Sequence, residues 1–178
     1  SLCEDVQAEA YDYPESFFAP RVHRLRRQSA DSFELDNAIA ALKAANKPLL
    51  IAGGGVHYSG AIDALKHFAE KHGVPVAETQ AGKGALNWDH PNYVGSIGVT
   101  GAASANRLAR EADVVLAVGT RLQDFTTGSR TLFSNPAIEL IQLNVAKFDA
   151  IKHNALPLIG DAKLGLQALD IALENWRA

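Results

Sequence analysis

The 178-residue chain contains no methionine and one cysteine, Cys3. A single cysteine cannot close an internal disulfide, so stability must come from a packed core, and a reducing, cytoplasmic setting is expected. With Ser1 in first place and no initiator, the chain is expected to be a piece of a longer one. No apolar run approaches the roughly 18 residues needed to cross a bilayer, and no basic-then-apolar segment opens the chain. Neither a membrane nor a secretory route is therefore expected. The net charge of −3 withholds the basic surface that binding nucleic acid requires. The six histidines, His23, His57, His67, His72, His90 and His153, show no H-x-x-x-H spacing, and there is no C-x-x-C pair, so no metal site is expected. No G-x-S-x-G elbow is present, and no carboxylates stand paired apart from solvated surface. The residues alone assign no catalytic group.

What is present is a soluble globular composition, 47% hydrophobic and 21% charged, long enough for one domain with an arm. Two short apolar runs end on glycine: Leu49-Leu50-Ile51-Ala52 before Gly53-Gly54-Gly55, and Val114 to Val118 before Gly119. Such runs read as buried parallel strands that deliver a tight turn at their C-terminal ends. Around them lie helical stripes: Leu35, Ala38, Ile39 and Leu42, with Asp31 as the cap; Ala61, Leu65, Phe68 and Ala69, with Ser59 as the cap and Gly73 as the stop; Ala105, Leu108, Ala109 and Ala112; and Ala162, Leu166, Leu169, Leu173 and Trp176. Further strands are expected at 75–79, near Tyr93-Val94, at 138–143 and at 156–159, and a polar loop over 122–135. The alternation of about six strands with helices predicts a three-layer α/β/α, Rossmann-like domain with a parallel sheet. Residues 1–31 lack periodicity and read as an arm. Its aromatics, Tyr11 to Phe18, and its basic cluster, Arg21 to Arg27, are expected to pack on neighbouring surface.

Ligands of open α/β sheets bind beyond the C-terminal strand ends. Gly53, Gly54 and Gly55 therefore become candidates for approach to an anionic ligand, against the plainer reading of a tight turn. The dinucleotide fingerprint G-x-G-x-x-G fails, because Tyr58 stands at its third glycine. Arg121, at the end of the strongest strand, suits a phosphate, or equally an acid such as Asp124 or a domain interface. Lys83 between Gly82 and Gly84 resembles half of a phosphate-binding loop, but with the wrong spacing, and reads as a turn.

The ordered set Lys47-Pro48 through Gly55, Ser59-Gly60-Ala61, Gly73-Val74-Pro75, Gly82-Lys83-Gly84, Asp89-His90-Pro91, Gly95, Gly98, Gly119-Thr120-Arg121-Leu122 and Gly160-Asp161-Ala162 resembles the central domain of thiamine-diphosphate-dependent enzymes of the acetolactate synthase type. The resemblance covers about residues 33–176. It implies strand order 3-2-1-4-5-6, an inter-domain arm over 1–31 and the domain proper over 32–178. The arm around Tyr11-Asp12-Tyr13-Pro14-Glu15 and the stretch Asn144 to His153 are most similar to a member that hydrolyses a ring carbon–carbon bond in inositol breakdown. Other members, an acetolactate synthase or a 2-oxoacid decarboxylase, are the alternatives; a free-standing nucleotide-binding module is a third. The resemblance further implies thiamine diphosphate and Mg2+ held mainly by sister domains, a homo-oligomeric parent, and an isolated domain without activity. It carries over no catalytic residue. FAD or ADP, where members bind one on this domain, would meet Gly53, Gly54, Gly55 and Arg121, although Asn144 stands where relatives often place an acid.

Overall fold

A computed structural model describes all 178 residues. Six strands form one wholly parallel sheet: β1 (Pro48–Ala52), β2 (Val76–Glu78), β3 (Tyr93–Ser96), β4 (Val114–Val118), β5 (Glu139–Asn144) and β6 (Leu156–Ile159). Their order is β3-β2-β1-β4-β5-β6, as the resemblance implied. The chain works outward from β1 in one direction, then returns to its other side at β4. β1 and β4 pair in register from Pro48 opposite Val114 to Ala52 opposite Val118. Both strands are buried along their whole length, which is why each reads as an unbroken apolar run.

Alternate side chains of these strands feed two cores. Leu50, Ala52, Leu116 and Val118 enter a larger one with Phe68, Leu65, Leu166 and Leu169; Leu49, Ile51, Val115 and Ala117 enter a smaller one with Ala105, Ala109, Leu122 and Phe133. Helices α2 (Ser32–Ala44), α4 (Ile62–His72) and α8 (Ala162–Leu173) cover the first face, and α5 (Ala103–Glu111) lies on the second. Asp31 caps α2 by accepting the N–H of Phe33, and Gly73 ends α4 in the left-handed region at φ 72°. Both match the pattern of the sequence.

Three expectations need correction. Ser59 does not start α4. Residues Gly54–Tyr58 form a short helix, α3, which Ser59 closes, its hydroxyl donating to the carbonyl of Val56; Ala61 takes the cap position of α4. The three glycines hid this turn of helix because glycine is a poor helix former. The stretch 122–135 is not a plain polar loop. It contains α6 (Asp124–Thr127) and buries Leu122, Leu132 and Phe133 as part of the lid on the second face. Its apolar residues are too far apart to show a period. The last helix ends at Leu173 rather than running through Trp176, because the chain reverses at Glu174.

The arm contains one short helix, α1 (Glu4–Ala8), and a single 3-10 turn over Glu15–Phe18. Its aromatics do not pack on the domain; Tyr11, Tyr13, Phe17 and Phe18 pack on one another and stay exposed. Only its end is anchored. Arg27 pairs with Asp161 at 2.7 Å, and the N–H of Asp161 donates to the carbonyl of Gln28. The short helix α7 (Lys147–Ala150) follows β5.

Candidate functional site

The sheet reverses its winding between β1 and β4, and beyond their C-terminal ends lies the largest cleft, of about 840 Å³. A second, of about 560 Å³, adjoins it and shares Gly55, Tyr58, Gly119 and Arg121. This is the crevice in which open α/β folds bind ligands.

The floor is a stitch between two strand ends. The N–H of Gly53 donates to the carbonyl of Val118 at 2.8 Å, and that of Gly55 to the carbonyl of Gly119 at 2.9 Å. A Cβ on Gly53 would stand 2.4 Å from the oxygen of Gly119, and one on Gly55 would stand 2.6 Å from its Cα. These glycines are required because two backbones touch. Two of the run's three N–H groups are thereby occupied. Gly54 and Gly55 line the cleft; Gly53 is not part of its lining.

The wall opposite is the segment after β2, tied at several points. Glu78 is 1% exposed, and its carboxylate accepts the N–H groups of Gly84 at 3.2 Å and Leu86 at 2.8 Å. Thr79 Oγ1 accepts from Gly82 N–H, and His57 Nε2 lies 3.2 Å from the carbonyl oxygens of both Gly82 and Lys83. Gly82 itself packs against the carbonyl of Ala52. The turn expected at 82–84 is thus present, and it sets Lys83 on the cleft lining. No local motif marks Lys83 as a site residue, since only the tertiary tethers bring it to the cleft that Arg121 also lines.

Arg121 lines both cavities and makes no ion pair with Asp124 or any other acid of the chain. Around the first cleft stand Thr79, Ser96, Thr100, Thr120 and Thr126, with Lys83 and Arg121 as the charged groups and no carboxylate. Such a lining accepts an anionic, hydrogen-bonding ligand and offers magnesium no carboxylate. No group of three or more His, Cys, Asp or Glu side chains converges anywhere in the chain to hold a metal. The residues present therefore do not fit a magnesium-bound diphosphate. In the second cleft, Asn144 is committed internally: its Nδ2 donates to the carbonyl of Thr120 and its Oδ1 accepts from Ala146 N–H.

The fold and its switch-point cleft define a Rossmann-like α/β domain. The family described as "Thiamine pyrophosphate enzyme, central domain" matches residues 35–169. The chain belongs to that family. It is 48% identical over 176 residues to the 3D-(3,5/4)-trihydroxycyclohexane-1,2-dione hydrolase of Geobacillus thermodenitrificans, covering 99% of this chain and 27% of the relative. It is 49% identical over 174 residues to the hydrolase of the same name from Clostridium perfringens, covering 98% and 27%. Among solved structures, a Mycobacterium smegmatis protein described as thiamin diphosphate-dependent superposes with a TM-score of 0.71 at 25% identity, over 88% of this chain and 30% of that one. The chain thus spans about a quarter of the length of the curated relatives it matches. No helix is long and apolar enough to cross a membrane.

Proposed function

We propose that this chain is the central domain of a thiamine-diphosphate-dependent hydrolase that opens a ring carbon–carbon bond of trihydroxycyclohexane-1,2-dione in inositol breakdown, giving 5-deoxy-glucuronate. The observation that carries this is identity near 48% along almost the whole chain to relatives bearing that name, arm included. The domain's part is architectural: it joins and orients sister domains that hold thiamine diphosphate and Mg2+, within a cytoplasmic homo-oligomer. The carboxylate-free cleft supports placing the cofactor elsewhere. The test is substrate profiling of the full-length protein. Turnover of the cyclic dione without consumption of pyruvate is expected; consumption of pyruvate alone refutes the reading in favour of an acetolactate synthase or 2-oxoacid decarboxylase. The 178-residue chain with added thiamine diphosphate and Mg2+ should show no turnover.

A second reading concerns the cleft: an adenine nucleotide, ADP or the ADP half of FAD, bound through Arg121 along the wall of Gly54 and Gly55, with Gly53 beneath. The guanidinium of Arg121, Lys83 on the same lining and the hydroxyl-rich surface favour it. The occupied N–H groups of Gly53 and Gly55 leave the cations to carry most of the phosphate binding. Thermal unfolding with ADP, FAD, NAD and thiamine diphosphate tests it. A ligand at about 100 times its Kd stabilises by roughly 2.7 kcal/mol; an ADP shift that Arg121→Ala abolishes supports the site, and no shift with any ligand refutes it.

A further inference from the structure

Far from the cleft, the last five residues fold back across the end of α4. At Glu174 the backbone enters φ 48°, ψ −106°, a region that L-residues rarely adopt. The reversal brings Trp176 beside His72, with ring centroids 5.6 Å apart, and lets the N–H of Ala178 donate to the carbonyl of His72 at 2.8 Å. The guanidinium of Arg177 comes to rest near Gly73.

His72 is the hub of this contact, and its side chain is wholly buried. Its Nδ1 lies 2.7 Å from the carbonyl oxygen of Trp176, and its Nε2 lies 3.0 Å from Oδ1 of Asp170 on α8. Both partners are acceptors. A neutral imidazole has one N–H and one lone pair, so it satisfies only one of them; the imidazolium donates to both. A buried ring facing an unmatched acceptor loses a hydrogen bond where no water replaces it. Phe68 closes the remaining side, its ring centroid 4.6 Å away.

We propose that His72 is a proton-operated latch: carrying a proton on both ring nitrogens it straps residues 174–178 across the end of α4, and losing one it lets them go. The charged groups around it are Asp170 from α8, Lys71 and His67 from α4, and Arg177 from the tail. Lys71 Nζ stands 2.9 Å from Oδ1 of Asp170 and also donates to that residue's carbonyl; His67 Nε2 stands 3.5 Å from Oδ2. Burial pushes Asp170 upward, but the hydrogen bonds from Lys71 and His72, with the charges of Lys71 and His67, more than offset this and hold it below its ordinary value. Asp170 therefore remains an anionic anchor through neutral and alkaline pH.

Trp176 reports the latch. The chain has two tryptophans, and the other, Trp88, is largely exposed. In the Trp88→Phe chain, emission should shift to the red as pH is raised from mildly acid to mildly alkaline while the helical circular dichroism holds. The shift should persist when His67→Gln is added and vanish when His72→Gln is added. Ring nitrogen NMR of the unmutated chain should find two bonded N–H protons on His72 at the acid end of that range and one at the alkaline end. An emission maximum that stays fixed overturns the proposal. So does a shift that follows His67 instead, or a single ring N–H throughout.

Discussion

Substituting Gly119 with alanine tests whether the glycines at the strand ends exist for backbone contact. Gly119 sits at φ 61°, and a Cβ there would lie 2.5 Å from the Cα of Gly55 and 2.9 Å from its carbonyl carbon and nitrogen. The conformation alone costs an L-residue about 1–2 kcal/mol. All three atoms in the clash are main chain, held by the hydrogen bonds that join β1 to β4, so relief requires the strands to part. Overpacking of this kind adds about 1–3 kcal/mol, for a total of about 2–5 kcal/mol. Gly60 provides the control. Its φ of 62° is nearly the same, yet nothing lies within 4 Å of its would-be Cβ, so Gly60→Ala should cost the conformational part alone, about 1–2 kcal/mol. Urea unfolding of the two variants, compared at equal m values, isolates the steric share. Variants equal in stability within about 0.5 kcal/mol, the usual spread between neutral sites, would refute the reading that this turn is fixed by contact, and would return the glycines to a ligand.

The anchorage of the arm separates into a weak and a stronger contact. Arg27→Ala should cost well under 1 kcal/mol, since its side chain is 41% exposed and exposed ion pairs contribute little. Asp161→Ala should cost about 1 kcal/mol or more, because Oδ1 also accepts the N–H groups of Lys163 and Leu164 at the start of α8; thermal melts rank the two. Acid should destabilise the domain in a defined sense. For Asp113, burial pushes the carboxyl upward, but the N–H groups of Asn46 and Lys47 outweigh it and hold it below 3.8; Asp170 is likewise lowered. A depressed carboxylate contributes stability that is fully present above its unfolded value and is lost as pH falls through the folded one. Stability should therefore fall with acid below the ordinary carboxylate range, and Asp113→Asn should flatten that limb; an unchanged limb refutes the assignment. In the cleft, Arg121→Ala should leave the melting temperature of the free chain unchanged, since the side chain pairs with nothing; a clear loss would give Arg121 a structural role instead.

Much of the fold was legible because its signals are local. The runs at 49–52 and 114–118 are apolar throughout because both faces of a central parallel strand are covered, and Asp31 and Gly73 mark helix ends by their own chemistry. What could not be read is what depends on partners distant in sequence. Ser59 looks like a cap until Gly54–Tyr58 is seen to coil. Glu78 looks like one more surface acid, and only the return of residues 84–86 shows two N–H groups aimed at it. Lys83 earns its place in the cleft through those tethers rather than through any motif. His72 was one histidine among six until α8 and the tail brought an acceptor to each nitrogen.

The sequence by itself determined the strand–helix alternation and, through the ordered glycine, proline and charge positions, the family. The alternation follows from periodicity, capping and turn chemistry, which act over a few residues; the family follows from the resemblance of that ordered set to a known one. Only the tertiary structure decided what the glycines at 53–55 do. Backbone contact is settled by which strand end arrives opposite, and β4 arrives there from more than sixty residues away. It also decided that the arm's aromatics pack on each other and not on the domain, because burial depends on surface brought together by the whole fold.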